Sequence, residues 1–211
     1  MARLIEIALD RLASMLMDMA NLAEKAVNTS IEAYSEGNNE VQEIHSWSEE
    51  LRALQDDVSE LAVDIIARFQ PVGSDLRFLR AAMEIAYGFS RFGRYAYDIA
   101  EVLEMWGDIS RCDHTTVEIT AKTTREMIRM SIEAFANRDV ELAKNVKTLD
   151  DFVDDKYREH VDKIVHGQEK DLTCAMSAAL ILRYLERISD HSSYIGDSVV
   201  YIVTGEKAPR K

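Results

Sequence analysis

The chain has 211 residues, of which 47% are apolar and 30% charged, with 8 glycines and 2 prolines. That composition supplies ample core material, few helix breakers and little of the alternation that strands need. A formal net charge of −13 repels phosphate backbones and argues against nucleic acid as the main partner, leaving cations and basic protein surfaces.

Six helical runs follow in chain order. The first starts near Ile5, carries Leu9, Leu12, Leu16, Met19, Ala23 and Ala26 at three-four spacing, and ends at Gly37-Asn38-Asn39. The second extends from about Asn39 to Phe69 and is broken by Gln70-Pro71-Val72-Gly73, because proline disfavours helix in the residue before it. Ser74 is the expected N-cap of the third, with Asp75 in its first turn; this run reaches Trp106 and stops at Gly107-Asp108. The fourth covers Ser110 to Ala136. The fifth follows Asn137-Arg138-Asp139 and runs to His166, before Gly167. The sixth starts near Lys170 and fades at Thr204-Gly205. Runs of about 30 residues are about 45 Å long.

The two halves repeat. Shifted by 96 positions, Asp75-Leu76 falls on Asp171-Leu172, Ala82 on Ala178, Ile85 on Ile181, Arg91 on Arg187 and Ile99 on Ile195. Ile31-Glu32-Ala33-Tyr34 recurs as Ile132-Glu133-Ala134-Phe135, shifted by 101. The expected fold is all-α: two tandem antiparallel three-helix bundles over 1–107 and 108–205, sharing a continuous core, with a polar tail at 206–211.

The amino-terminal Met-Ala-Arg-Leu-Ile-Glu lacks the apolar stretch of a signal peptide, and no segment reads as a bilayer span. Cys112 and Cys174 are far apart and form no CxxC pair, so neither a disulfide nor a thiolate zinc site is expected. A reduced, soluble, cytoplasmic protein is the expectation.

The copies differ where chemistry is possible. Leu185-Glu186-Arg187-Ile188-Ser189-Asp190-His191 puts Glu186 and Asp190 one turn apart on one face, with Asp197 near the same stripe. The matching places in the first half are Ser90 and Arg94. In the fifth run Asp150 and Asp154 form a DxxxD pair, with Asp151 and Asp155 beside it. A softer alignment, shifted by 102, sets Ser48 and Arg52 against Asp150 and Asp154. Four carboxylates on neighbouring helices require protonation, solvent or a cation. Oxygen-only ligands suit iron, manganese, magnesium or calcium before zinc. The plain alternative is a solvated acidic face, which most carboxylates in an acidic helical chain are.

Little else points to chemistry. His191 is read as a packing or surface residue, or a peripheral ligand; His160 and His166 have no evident partner. No Glu-x-x-His of the di-iron type, no phosphate-cradling glycine loop and no nucleophile with its base occur. Met15, Met17 and Met19 are read as core and rim packing, and Tyr95, Tyr97 and Tyr194 as helix-helix packing.

Three segments carry a resemblance. Phe69-Gln70-Pro71-Val72-Gly73-Ser74-Asp75-Leu76-Arg77 resembles the QPxAxDLR signature of PhoU proteins, the phosphate-uptake regulators. Leu185 to His191 resembles their LERIGDH segment, and Asp150-Asp151-Phe152-Val153-Asp154 their DxxID motif. The resemblance extends to the repeat and to Tyr201-Ile202-Val203-Thr204-Gly205. It implies paired three-helix bundles, commonly dimeric, with iron or zinc clusters on E(D)xxxD motifs. It also implies a cytoplasmic negative regulator, not an enzyme, acting between an ATP-driven phosphate transporter and a phosphate-sensing histidine kinase. Such a regulator meets the membrane only through those partners. By position the ligands are Asp150, Asp154, Glu186 and Asp190. Ser48, Arg52, Ser90 and Arg94 stand in the first half's ligand places, so one cluster at most is expected. Alternatives are a metal-storing or redox-active carboxylate bundle and a metal-free helical adaptor.

Overall fold

A computed structural model describes residues 2–38, 40–107, 109 and 111–207, without the side chains of residues 2 and 3. It contains α1 (Ala2–Glu36), α2 (Val41–Phe69), α3 (Ser74–Trp106), α4 (Thr115–Asn137), α5 (Val140–Val165) and α6 (Leu172–Thr204), with no strand among the described residues. The connectors are short, so consecutive helices run antiparallel.

Helices α1–α3 pack together, as do α4–α6. The two sets meet along α3 against α6 and α1 against α4. One hydrophobic core runs through both, from Leu12, Leu16 and Met19 through Leu51, Phe89 and Phe92 to Leu182, Leu185 and Ile188. Met127, Val146 and Val153 form a small second cluster between α4 and α5. Across the seam, Arg125 donates to the Asn28 carbonyl (3.2 Å) and Arg77 to that of Ile202 (3.4 Å).

Glycine sets how closely the helices approach. A Cβ built on Gly93 would lie 2.5 Å from Leu51 Cδ1 and 3.3 Å from Ser48 Cα, and one on Gly196 would lie 2.7 Å from the Ala143 carbonyl oxygen. These are closer than carbon packing permits, so α2–α3 and α5–α6 touch nearly backbone to backbone there.

The helix ends depart from the sequence reading in three places. The residue capping α3 is Gly73, at φ 63°, and Ser74 is already helical, its hydroxyl 3.4 Å from Asp75 Oδ1. The positive φ reverses the chain just before the helix and leaves the serine no N-cap to fill. Helix α4 starts at Thr115 instead of Ser110, because Asp113 Oδ1 accepts from the Thr115 amide (2.9 Å) and holds the connector in a turn. Helix α6 starts at Leu172, with Asp171 accepting from the Thr173 and Cys174 amides (2.9 and 3.2 Å). The expected breaks at Asn39 and Asp108 and the end of the polar tail lie outside the described residues.

The larger correction concerns the cysteines. Cys112 and Cys174 form a disulfide, their Cα atoms 5.4 Å apart. Antiparallel packing returns the α3–α4 connector and the first turn of α6 to the same end of the molecule, where Arg111 also pairs with Asp171 at 3.2 Å. Sequence spacing carried no sign of this proximity. Cysteine usage therefore no longer supports a reducing compartment. No described helix is long and apolar enough to cross a membrane.

Candidate acidic site between α5 and α6

Of the four singled-out carboxylates, Asp150 and Asp154 of α5 interact with Ser189 and Glu186 of α6, and Asp190 stands beside Glu186 on α6 itself. Asp150, 2% exposed, is the deepest. The Ser189 hydroxyl of α6 donates to its Oδ1 (2.8 Å), with the Met127 thioether 3.1 Å from the same hydroxyl. Asp154 lies one turn on; its Oδ2 accepts from Arg158 (2.8 Å), while its Oδ1 is buried without a hydrogen-bond partner.

On α6, Glu186 Oε1 accepts from Arg183 (2.6 Å). Its Oε2 is buried without a hydrogen-bond donor, the Arg187 Nε standing 3.7 Å away. Asp190 pairs with Arg187 at 3.7 Å. Burial raises the pKa of Glu186 above the ordinary carboxylate value. The charge of Asp190 and, more weakly, that of Asp154 across the interface add to the rise, opposed by Arg183 and Arg187. Residues from both helices thus form one electrostatic cluster. Asp155 instead turns outward to Arg158 (3.3 Å), and Asp197 stands by Lys147 (3.9 Å).

Three guanidinium groups therefore answer four carboxylates. Among the described residues, no group of three or more His, Cys, Asp or Glu side chains is arranged to hold a metal ion. The donor chemistry is that of a hard cation, and Asp154 Oδ1 and Glu186 Oε2, on facing helices, are buried oxygens without a hydrogen-bond donor. The sequence reading missed these arginines and Ser189. The signal was present: Arg158 is four residues after Asp154, and Arg183 is three before Glu186, both spacings that bring helical side chains together.

The first half closes the same position differently. Ser48 sits against Gly93 as Asp150 sits against Ser189, a paired exchange of serine-glycine for aspartate-serine. This agrees with the softer alignment of α2 with α5. Arg52 and Arg94 point outward to Glu49 (2.6 Å) and Asp98 (2.8 Å). His160 and His166 do have partners, the carbonyls of Ala175 and Asp162, each at 2.9 Å.

The comparisons agree with this architecture. The PhoU domain model matches residues 16–103 and 117–199, one copy per half. A Pseudomonas putida protein named phosphate-specific transport system accessory protein PhoU homolog is 30% identical over 203 residues, covering 93% of this chain and 79% of its own. A Methanothermobacter thermautotrophicus protein, PhoU homolog 1, is 29% identical, covering 93% and 94%. The crystal structure of PhoU from Pseudomonas aeruginosa superposes with a TM-score of 0.87 at 28% identity, covering 95% of this chain and 99% of its own. That of the regulatory protein from Streptococcus pneumoniae gives 0.88 at 18% identity and speaks to the fold alone. With the matched model spanning both repeats, this chain belongs to the PhoU family.

Proposed function

We propose that this protein regulates phosphate uptake as an accessory of a phosphate transport system, by binding other proteins and not by catalysis. The observation that carries the reading is the family match over both repeats, with relatives named as phosphate-specific transport system accessory proteins. The proposed partners are the transporter's ATPase and a phosphate-sensing histidine kinase, met in the cytoplasm by a homodimer acting as a negative regulator. Affinity capture of the full chain from phosphate-replete cells tests this. Recovery of neither partner would end the regulatory reading.

Within it, Asp150, Asp154, Glu186 and Asp190 are the side chains that would hold a metal ion, iron and zinc being the family's metals. A bound cation supplies charge neutralisation between α5 and α6. Asp154 Oδ1 and Glu186 Oε2, buried without hydrogen-bond partners, support that role. The rest is done by the chain: Ser189 orients Asp150, and Arg158 and Arg183 hold one oxygen of each neighbouring carboxylate. The same arginines favour a second reading, a metal-free adaptor whose acidic cluster is already compensated. Elemental analysis of the purified protein separates the two. Bound metal that disappears in Glu186→Ala/Asp190→Ala, and survives Ser90→Ala/Arg94→Ala, supports the metal site; no metal in the parent protein supports the adaptor.

A further inference from the structure

The disulfide lies at one end of the molecule, where it joins the connector between α3 and α4 to the first turn of α6. Cys112 stands between the exposed Arg111 and Asp113, and both cysteines are half-buried, so neither is sealed inside the core. Weaker contacts accompany the bond. Arg111 pairs with Asp171 (3.2 Å), the Cys112 amide donates to the Ile109 carbonyl (2.9 Å), and the Ile109 side chain is buried. A surface ion pair of this kind adds little on its own.

The residues flanking the connector keep three polar atoms dry. The Tyr34 hydroxyl, His114 Nδ1 and Trp106 Nε1 are buried without a hydrogen-bond partner. Trp106 is the last residue of α3, and His114 precedes α4. Tyr34, at the end of α1, is 2% exposed and meets the His114 ring edge to face, centroids 4.7 Å apart. Burial, and then the charges of Glu118 and Asp113, raise its pKa, so it remains a donor with nothing to donate to. Buried polar groups are normally paired, and each one left unpaired carries an uncompensated desolvation cost that water would return. The closed connector thus holds groups that favour its opening, and a covalent bond holds it closed.

We propose that Cys112–Cys174 is a redox switch: a dithiol reductant frees the connector between the two halves, and reoxidation fastens it again. A thiolate of the reductant attacks Cys112 Sγ, and the S–S bond breaks toward Cys174, which leaves as the thiolate. Cys174 suits that role because it lies in the first turn of α6, where backbone N–H groups and the helix dipole stabilise negative sulfur. The Asp171 carboxylate, which accepts from the Cys174 amide (3.2 Å), opposes this, and Arg111 offsets it. The second thiolate of the reductant then attacks its own sulfur in the mixed disulfide and releases Cys112. The reductant ends as a cyclic disulfide, and two electrons and two protons pass to the cysteines. Opening lets water reach the dry groups and uncovers Ile109, at an end of the molecule where Met105 and Leu172 are already exposed. That thiol state would thereby alter a protein-binding surface rests on the function proposed above.

The test is hydrogen exchange of the purified full chain, oxidised, reduced with dithiothreitol, and reoxidised with the oxidised form of that reagent. Native reduction should make both cysteines open to thiol labelling. The amides of Cys112 and Thr115 should then exchange roughly tenfold faster or more, while the middles of α3 and α6 keep their protection. Reoxidation should restore the slow exchange. Cys112→Ser should show the fast exchange without reductant; should it not fold, the reduced parent protein decides. Tyr34→Phe removes one dry hydroxyl and should slow connector exchange in the reduced protein, which a plain structural cross-link would not do. The switch is overturned if the bond is reduced only after urea, if reduction leaves connector exchange unchanged, or if protection is lost throughout the helices. An unchanged rate in reduced Tyr34→Phe would overturn the role given to the dry groups. Partner capture enters none of these readouts, so the switch and the regulatory function fail separately.

Discussion

At the scale of single residues, the two halves differ by matched exchanges. Ser189 donates to the buried Asp150, where the first half has Gly93 against Ser48. Removing the hydroxyl in Ser189→Ala takes a donor from a buried carboxylate and should cost about 1–3 kcal/mol by urea denaturation. In the first half the penalty is steric. Gly93→Ala forces Leu51 aside and should cost roughly 1–3 kcal/mol. His191 contributes a pH dependence. Burial, and then the charges of Arg91 and Arg187, lower its pKa from 6.5 to about 4. Between those values the unfolded chain binds the proton and the folded protein does not, so stability should fall as pH drops from 6.5 toward 4. A partly exposed ring makes the loss on the order of 2 kcal/mol. A urea series across that range checks it, and His191→Phe should flatten the profile. The four carboxylate positions were legible from the repeat. Their arginine partners were legible only in part, because an i, i+4 spacing states who can meet and not which partner wins.

Among the elements, helix existence followed from periodicity, while the starts were settled by local capping. Asp113 places the first turn of α4 several residues later than composition suggested, whereas Gly73 and Asp171 shift those of α3 and α6 by only one or two. The ends behave similarly. Gly37 closes α1 at φ 74°, and its repeat counterpart Arg138 closes α4 at φ 53°. A side chain in that left-handed region costs what glycine avoids. Arg138→Gly should therefore raise the melting temperature, by an equivalent of about 0.5–1 kcal/mol. A lower melting temperature would mean that Arg138 makes contacts worth more than its backbone cost.

At the scale of the whole molecule, the Cys112–Cys174 bond closes a separation of 62 residues and ties the connector between the halves to α6. A loop of that length is worth about 4 kcal/mol of lost chain entropy in the unfolded state. Reduction with dithiothreitol should lower the urea midpoint accordingly, and Cys112→Ser should reproduce the loss. Thiol labelling of the native protein should find no free cysteine until it is reduced. By itself the sequence determined the helices, their order and the repeat, because hydrophobic periodicity and sparse breakers are local properties of the chain. It also carried the acidic motifs, which sit within single turns. Only the tertiary structure decided the disulfide, the arginines that answer the carboxylates, and the close helix approaches at Gly93 and Gly196. Each of these depends on which helix faces which, and at what rotation and distance. Those quantities come from packing two bundles against each other and are written in no single segment.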